Sequence, residues 1–231
     1  MTTTFITGAN KSLGYETARR LLGAGHTVLI GARDAERGQN AADALGARFV
    51  QIDVTDDASV AAAVADVAAH EGSIDVLVNN AGIPGPFKPA EEMTVADATA
   101  VFGVNVLGIV RTTHAFLPLL RQSDNPVIVN VTSGLGSFDA THDPERIEST
   151  VIAPFYTASK SAVTMLTTQY AKAWPDVKIN AADPGYTATD FNHHSGTQTV
   201  TEGTDAIVEL ATLGVDGPTG TYIDRSGVAA F

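Results

Sequence analysis

The sequence has 231 residues, enough for one large α/β domain, and it contains no cysteine, which excludes disulfides and thiolate chemistry. Its formal net charge of −12 argues against nucleic acid or an anionic membrane surface as the main partner. No apolar run approaches the roughly 18 residues of a membrane span and no signal peptide is visible, so we expect a soluble cytoplasmic protein.

Short β-rich runs alternate with alanine-rich helical stretches along the chain. Strands are predicted at 3–7, 27–30, 49–52, 76–78, 127–131, 178–181 and 220–223. Helices are predicted at 15–22, 35–45, 59–69, 95–120 with a break, 159–173 and 204–213. This alternation predicts parallel strands joined by right-handed crossovers. No linker or repeat interrupts the pattern. The prediction is therefore one α/β domain over residues 1–231, a single Rossmann-like doubly wound parallel sheet flanked by helices on both faces.

A glycine-rich turn follows the first predicted strand, in the sequence Thr7-Gly8-Ala9-Asn10-Lys11-Ser12-Leu13-Gly14. Glycines between a strand and a helix N-terminus let the backbone approach a pyrophosphate, whose charge the helix dipole favours. The alternative is a tight turn without a ligand. Its position after the first strand favours a dinucleotide site.

The residues after the second strand bear on the choice of nucleotide. A carboxylate there would bind the ribose 2′-hydroxyl of NAD, whereas an arginine suits a 2′-phosphate. We interpret Asp34 as the N-cap of the helix that starts at Ala35. Arg33 and Lys11 then supply two cations, which favours NADP(H) over NAD(H). The alternative is that Arg33 is simply solvated.

Tyr156 and Lys160 stand four residues apart, so they lie on one face if the segment is helical. A nearby ammonium favours the phenolate and lowers a tyrosine pKa that is ordinarily about 10. Such a tyrosine can exchange a proton with a carbonyl or alcohol oxygen. The alternative is a surface helix that carries an ordinary tyrosine and lysine.

Together these residues resemble the short-chain dehydrogenase/reductase family over essentially the whole chain. The glycine-rich turn departs from the family in one respect, because Ser12 stands where the middle glycine is usual. The other motifs that match follow in the family's order: Asp53 after the third strand, Asn79-Asn80-Ala81-Gly82 after the fourth, Asn105, Ser133, the Tyr156 and Lys160 pair, and Pro184-Gly185 with Thr187 and Thr189.

The resemblance implies a catalytic set of Asn105, Ser133, Tyr156 and Lys160. Tyr156 would donate a proton to a carbonyl oxygen as hydride arrives at carbon, and Ser133 would orient that oxygen. Lys160 would lower the Tyr156 pKa and hold the nicotinamide ribose, and Asn105 would fix a water that joins Lys160 to solvent. The implied cofactor-binding residues are Gly8, Asn10, Lys11, Ser12, Leu13, Gly14, Arg33, Asp53, Val54, Asn80, Ala81, Gly82, Tyr156, Lys160, Pro184, Gly185, Thr187 and Thr189. No metal is required.

The segment from Gly134 to Phe155 is longer than the family's usual spacing between the catalytic serine and tyrosine. Such an insertion is similar to that of the monomeric carbonyl reductases, where extra residues cover the helices that otherwise pair subunits. We therefore expect a monomer or homodimer more than a tetramer. A harmless surface loop is the alternative. The neighbouring His142 and Asp143 are interpreted as solvated, not as a second acid/base pair.

The segment after Pro184-Gly185 closes over substrate in this family. Here it contains His193-His194, which we interpret as part of a polar lid and not as metal ligands. Aromatic residues flank the expected pocket and indicate an apolar carbonyl substrate, unless they belong to the core: Phe138, Phe155, Tyr186 and Phe191.

The function predicted from the sequence is NADPH-dependent reduction of a ketone or aldehyde to an alcohol, with a small-molecule carbonyl compound as partner. An NAD(P)-dependent alcohol dehydrogenase working oxidatively is a close variant. A non-catalytic NADP(H)-binding regulator is the alternative of a different class. Intact Ser133, Tyr156 and Lys160 speak against that alternative.

Overall fold

The computed structural model describes residues 1–230 and has one eight-stranded sheet, in the order β3-β2-β1-β4-β5-β6-β7-β8. Neighbouring strands pair in parallel as far as β7, and β8 runs antiparallel to β7. The strands are β1 (Thr3–Thr7), β2 (Thr27–Ala32), β3 (Arg48–Gln51), β4 (Val76–Asn79), β5 (Val127–Val131), β6 (Lys178–Ala182), β7 (Tyr222–Asp224) and β8 (Gly227–Val228).

Helices cover both faces of this sheet. They are α1 (Ser12–Gly23), α2 (Ala35–Leu45), α3 (Asp57–His70), α4 (Val95–Phe102), α5 (Gly108–Leu120), α6 (Phe138–His142), α7 (Pro154–Ala173), α8 (Val200–Gly203) and α9 (Asp205–Ala211). A π-helical turn joins α4 to α5 at Gly103–Leu107. Short 3₁₀ turns lie at Ala90–Glu92, Gly134–Gly136, Ile147–Thr150 and Asp190–Asn192.

Two hydrophobic clusters hold the layers together, one on each face of the sheet. On one face, α1 and α9 supply Leu21 and Ile207, which pack with strand residues such as Ile30. On the other, α3 and α5 supply Val67 and Phe116 against the opposite side chains of the same strands. Because both faces are covered, the central strands are apolar throughout, as β5 shows with all five residues buried.

The strand order reverses between β1 and β4, which lie side by side although two strands separate them in the chain. At such a switch point the loops that leave the two strands diverge and open a crevice at the carboxyl edge of the sheet. The glycine-rich turn follows β1, and Asn80-Ala81-Gly82 follows β4. The crevice therefore lies where the sequence predicts the dinucleotide site.

The predicted fold class is confirmed, and all seven predicted strands occur at or near their expected positions. The two-residue strand β8 was missed because so short a segment carries no periodic signal. Helix α7 begins at Pro154, earlier than the predicted Ser159, since proline is well suited to the first helical position. The earlier start places Tyr156 inside the first turn of α7.

The helical run Val95–Leu120 is long and apolar enough to cross a membrane, judged by length and composition alone. Scattered polar residues interrupt the apolar run, so its length does not stand out in the sequence. In the structure Phe116, Leu119 and Leu120 belong to a core cluster. The core helix of a globular domain passes the same test, so the run is weak evidence for a membrane span.

Candidate active site

The π-helical turn between α4 and α5 carries Asn105, which is fully buried. Its side chain accepts a hydrogen bond from Ile83 N at 2.8 Å and donates one to Ile83 O at 3.0 Å. It also donates to Ser159 Oγ at 3.0 Å, and that hydroxyl donates to Tyr156 O at 2.7 Å. Single π-helical turns interrupt α-helices frequently at functional sites. Asn105 thus ties the loop after β4 to the first turn of α7, and the predicted break in helix 95–120 is found at this residue.

Tyr156 and Lys160 lie on one face of α7, as their spacing predicts. The Lys160 Nζ atom is 5.6 Å from the centroid of the Tyr156 ring and donates a hydrogen bond to Val131 O at 2.9 Å. Lys160 is 4% exposed. An ammonium has three N–H donors, and within residues 1–230 only this one hydrogen bond of the Lys160 Nζ group is found. Two donors of a buried cation are therefore left for groups outside the chain.

The pKa of the Tyr156 phenol differs from the sequence-based expectation. Burial raises the pKa of Tyr156 to about 12, against which a hydrogen bond with Ser133 acts to lower it. Burial lowers the pKa of Lys160 to about 8. The prediction that Lys160 holds the tyrosine pKa below 10 is therefore wrong for the chain by itself, because desolvation raises the pKa more than the Ser133 hydrogen bond lowers it. At neutral pH the phenol is protonated, which is the form that donates a proton.

Ser133 follows β5 and stands at the N-cap of the 3₁₀ turn Gly134–Gly136. Its Oγ accepts a hydrogen bond from Leu135 N at 3.3 Å and also bonds Tyr156. The serine hydroxyl and the phenol therefore point into the same part of the cleft, beside the carboxyl end of β5. The predicted set of Asn105, Ser133, Tyr156 and Lys160 is brought together.

The glycine-rich turn is held against the end of β4 by Asn80. Its side chain donates to Thr7 O at 2.9 Å and to Gly8 O at 3.1 Å. A Cβ atom on Gly14 would lie 2.5 Å from Asn80 Nδ2, so this close approach requires glycine. Ser12, the first residue of α1, has a positive φ of 54°, the conformation that the family's usual glycine adopts without strain. The departure from the motif thus falls on a backbone position that favours glycine.

The cations at this end of the crevice differ in their surroundings. Lys11 Nζ forms an exposed salt bridge with Asp190 Oδ2 at 2.6 Å, so it joins the turn to the segment after Pro184-Gly185. Arg33 directly follows β2 and is exposed. Asp34 caps α2 by accepting from Arg37 N at 2.9 Å, as the sequence predicts. Its carboxylate is thereby directed to the helix.

Asp53 and Val54 lie after β3, where the sequence predicts the contact with the adenine. Burial acts to raise the pKa of Asp53, but hydrogen bonds from Thr55 and the charges of Arg33 and Arg111 lower it overall. The Thr55 hydroxyl donates to Asp53 Oδ1 at 2.7 Å. Val54 is buried, and its carbonyl accepts from Arg111 at 2.6 Å. Asp53 is therefore an ionised acceptor at the crevice wall.

The segment after β6 forms the opposite wall. Gly185 has a φ of 66°, and a Cβ atom there would lie 2.6 Å from Gln198 Nε2. Thr187 Oγ1 donates to Pro184 O at 2.7 Å, and Thr189 caps the 3₁₀ turn Asp190–Asn192. The sequence analysis missed Gln198, whose buried Oε1 atom has no hydrogen-bond partner within residues 1–230. Only its position behind Gly185 in the folded chain makes it a candidate.

The side chains of His193 and His194, in the predicted lid, contact different partners. The His193 ring lies 5.9 Å from the Phe87 ring, whereas His194 Nε2 pairs with Asp190 Oδ1 at 3.2 Å. No group of three or more His, Asp or Glu side chains within residues 1–230 is arranged to hold a metal ion. The Phe191 ring meets the Tyr156 ring edge-on at 6.2 Å, so it borders the cleft. Phe138 does not border the cleft. It lines a groove on the outer face of α7 together with Met165, so the prediction that it flanks the substrate pocket is wrong.

Known proteins resemble this chain in sequence and in fold. The profile of the short chain dehydrogenase family matches residues 2–199. The chain belongs to the short-chain dehydrogenase/reductase family. The (+)-neomenthol dehydrogenase of Arabidopsis thaliana is 30% identical over a 286-residue alignment that covers 98% of this chain and 97% of that protein. The predicted family is confirmed, and the protein is an oxidoreductase.

Several solved structures that are similar to this chain contain nicotinamide nucleotides. NADPH-bound carbonyl reductase from chicken fatty liver superimposes with a TM-score of 0.87 at 26% identity, over 99% of this chain and 98% of that one. The 3-ketoacyl-(acyl-carrier-protein) reductase from Brucella melitensis, complexed with NADH, gives 0.85 at 25% identity, over 96% of each chain. A nicotinamide nucleotide is therefore the cofactor class, and these two structures differ in whether the nucleotide carries a 2′-phosphate.

The residues present fit such a nucleotide. The N-terminus of α1 has no side-chain cap, so its amides and dipole are available to a pyrophosphate. Lys160 keeps two buried donors for the hydroxyls of a ribose, and a Cβ atom on Gly82 would lie only 3.7 Å from Lys160 Nζ. Gln198 offers a buried acceptor beside Gly185. The crevice thus has suitable groups at its phosphate, ribose and nicotinamide ends.

Proposed function

We propose that this protein reduces a small-molecule ketone or aldehyde to an alcohol with NADPH. The observation that carries the proposal is a protonated phenol, Tyr156, that shares a hydrogen bond with Ser133 and stands beside the buried Lys160. A group that must protonate an alkoxide needs to hold its proton at neutral pH and give it up only as charge develops. A phenol whose pKa burial raises to about 12 meets that requirement.

In the proposed reaction Ser133 and Tyr156 both hydrogen-bond the carbonyl oxygen of the substrate. Ser133 orients the oxygen and stabilises the negative charge that develops on it, while Tyr156 transfers its proton to it. The bound NADPH supplies the hydride. Lys160 holds the ribose with its two remaining donors and stabilises the phenolate that proton transfer leaves behind. Asn105 acts through structure, since its contacts with Ile83 and Ser159 fix the two segments that carry these groups.

The proposed preference for NADPH over NADH rests on the groups after β2. Asp34 is engaged as a helix cap, so no carboxylate is directed at the ribose 2′-hydroxyl. Arg33 is exposed and makes no ion pair among the described residues, which leaves its guanidinium able to bind a 2′-phosphate in a bidentate manner. Lys11 is a weaker second cation, because it must share its charge with Asp190.

An apolar substrate is proposed from the surroundings of Tyr156. Phe191 borders the phenol, and both Phe191 and Tyr186 are more than a third exposed toward solvent. Phe87 is 76% exposed and contacts the lid through His193. Exposed aromatic side chains around a polar reaction centre suit a ligand with a hydrophobic body and one carbonyl group. The relative from Arabidopsis thaliana is, by its name, a dehydrogenase of (+)-neomenthol, and an alcohol is the class of product that the proposed reduction forms.

The test is NADPH oxidation measured with a panel of aryl ketones, diketones, quinones and monocyclic ketones. We expect turnover with at least one apolar class and little with small charged ketones. Absence of turnover across the panel, combined with tight NADPH binding in a fluorescence titration, would instead support a nucleotide-binding regulator. Turnover only in the direction of alcohol oxidation at neutral pH would identify an alcohol dehydrogenase.

We also propose that the protein is a monomer or homodimer. The insertion before α7 carries exposed charge at Glu145, and its first helix places Phe138 along the outer face of α7. Interface cores are depleted in charge, so this segment opposes burial of that face in a tetramer. Light scattering at micromolar concentration measures the mass directly, and a stable tetramer would contradict the proposal.

A further inference from the structure

A buried carboxylate lies beneath the catalytic groups, although the reaction described above does not use it. Asp183 follows β6 and is 3% exposed. Ala182 pairs with Val131 in the register of β5 and β6, so Asp183 is level with Thr132, one residue before Ser133. Asp183 N donates to Ile223 O at 2.8 Å, which fixes the backbone to β7 as well. The carboxylate is thus held at the joint ends of three strands.

Three donors from three different elements point at this carboxylate. Gly185 N donates to Asp183 Oδ1 at 2.9 Å, and the Tyr222 hydroxyl donates to Asp183 Oδ2 at 3.3 Å. The amide of Gly134 also bonds the carboxylate. A set of donors without a competing acceptor favours the ionised form, which accepts hydrogen bonds and donates none. The same set connects the turn that follows Ser133 to the glycine on the nicotinamide side.

The turn after Ser133 has no free space around this contact. A Cβ atom on Gly134 would lie 3.0 Å from Asp183 Oδ2 and 2.6 Å from Glu148 Oε1. Glu148 comes from the insertion and pairs with Arg146, whose Nη2 atom is 3.1 Å from Glu148 Oε1. The insertion therefore reaches the catalytic turn. Because each neighbour is fixed, a displacement of the Asp183 carboxylate would move Gly134, Gly185 or both.

The charges around Asp183 come from every element packed against it. Burial raises the pKa of Asp183 above its ordinary value, and Glu148 acts in the same direction, whereas the amides of Gly185 and Gly134 and the Tyr222 hydroxyl only partly oppose this rise. Arg146 pairs with Glu148 and also interacts with the charges of Asp183 and Asp224, and the Asp224 charge raises the pKa of Tyr222. In turn, the Asp183 charge raises the pKa of both Tyr156 and Lys160. The carboxylate therefore acts in the same direction on the proposed proton donor and on the ammonium beside it.

We propose that Asp183 is a positioning residue, whose ionised carboxylate locks Gly134 and Gly185 in place and supplies the negative charge beneath Tyr156 and Lys160. This inference rests on the proposed reductase function. It makes Asp183 responsible for both the alignment of Ser133 and the pH range in which the tyrosine keeps its proton. Reduction needs the protonated phenol and oxidation needs the phenolate, so one change in charge moves both pH profiles in the same direction.

The experiment compares Asp183→Asn, which removes the charge, with Asp183→Glu, which keeps it but displaces it. For Asp183→Asn we expect turnover to fall by about tenfold or more, because a small displacement of reacting groups is costly. The alkaline limb of the reduction profile and the acidic limb of the oxidation profile should both move to lower pH. For Asp183→Glu we expect a similar loss of turnover with both limbs unmoved. Asp224→Asn also replaces a carboxylate by an amide, two residues after Tyr222, and should alter neither the turnover nor the position of the two limbs.

The proposal would be overturned if the limbs of the two pH profiles did not move in Asp183→Asn. It would also be overturned if they moved as far in Asp224→Asn as in Asp183→Asn. Asp183→Ser, also neutral but smaller, takes the place of Asp183→Asn if the latter does not fold. If neither neutral variant folds, wild-type turnover in Asp183→Glu would still refute the positioning role, and lowered turnover would support it. Failure of the wild-type protein to reduce any carbonyl compound would instead refute the proposed function, so the two failures are distinguishable.

Discussion

The two ends of the crevice differ in how exposed their polar groups are. The phosphate end is formed by the glycine-rich turn with Lys11 and Arg33, and the reaction end by Asn105, Ser133, Tyr156 and Lys160. At the phosphate end the cations are in water, and the Lys11 and Asp190 side chains of the bridging salt bridge are 59% and 50% exposed. At the reaction end Lys160 is 4% exposed and Asn105 is fully buried. An exposed ion pair contributes little and can exchange partners, whereas a buried polar group must be satisfied by fixed partners. The phosphate end can therefore adapt to a ligand. At the reaction end the hydrogen bonds of Asn105 are already formed without a ligand, and Lys160 keeps two donors that a ligand can satisfy.

This contrast predicts that single substitutions at the reaction end have far larger effects on turnover than those at the phosphate end. The largest effect is expected for Tyr156→Phe, which removes the proton donor and its hydrogen bond with Ser133. Turnover should fall by about 10²- to 10⁴-fold, the usual contribution of positioned proton transfer. The affinity for NADPH should remain nearly unchanged. Steady-state kinetics and a fluorescence titration on the same preparation measure both.

Tyr170→Phe is the matched control for that substitution. Tyr170 lies on the same helix, where its hydroxyl bonds His114 Nε2 at 3.1 Å and its ring stacks on Trp174. Loss of that hydroxyl should leave turnover unaltered. If Tyr156→Phe kept more than about a tenth of the wild-type rate, another group would have to supply the proton.

The same contrast explains what could be predicted from the sequence. Local rules sufficed for Asp34 as a helix cap and for the shared face of Tyr156 and Lys160, because both depend on near neighbours in the chain. The direction of the Tyr156 pKa shift could not be predicted, since it depends on how deeply the folded chain buries the phenol. The four-residue spacing indicates that Lys160 lies near Tyr156, but it does not indicate that the fold removes water from the phenol.

Long-range contacts were likewise inaccessible. The bridge between Lys11 and Asp190 joins residues 179 positions apart, and no pattern in either segment indicates it. Asp183 and Gln198 resemble ordinary polar residues in the sequence, yet the fold places one under Gly134 and the other behind Gly185. The proposed catalytic set could be named from the sequence because its motifs resemble those of a family. The residues that support it lie outside those motifs.

At the phosphate end a smaller and more selective effect is expected from Arg33→Ala. The 2′-phosphate would lose a bidentate cation, while Lys11 remains as a partial substitute. The Kd for NADPH should rise by about tenfold, in keeping with one charged hydrogen-bonding group at an exposed site. The Kd for NADH should hardly change, since NADH has no 2′-phosphate. Titration with both nucleotides checks the difference.

Arg19→Ala is a suitable control, because Arg19 is an exposed arginine that pairs with Glu16 at 2.7 Å on α1, away from the end of β2. It should affect neither nucleotide. Equal losses of NADPH and NADH affinity in Arg33→Ala would mean that Arg33 does not recognise the 2′-phosphate. Asp34 would then have to be reconsidered as a ligand of the ribose.

The smallest effect is expected for Ser12→Gly, and it concerns stability. Ser12 has a φ of 54°, and a left-handed backbone costs an L-residue roughly 1–2 kcal/mol. Glycine adopts this conformation without that strain but loses about 0.5–1 kcal/mol more chain entropy on folding. The net gain should be about 0.5–1 kcal/mol in the free energy of unfolding, which raises the Tm by about 1–3 °C for a chain of this size.

Thermal unfolding of Ser12→Gly beside Ser226→Gly tests this account. Ser226 is exposed and does not have a positive φ, so glycine there brings only the entropy cost and should lower the Tm slightly. If both variants lost stability, the Ser12 backbone would not be strained, and side-chain contacts would have to explain the serine. A gain for Ser12→Gly alone would show that the phosphate turn retains strain at its one departure from the family motif. That strain would be small enough for an adaptable, partly exposed turn to tolerate.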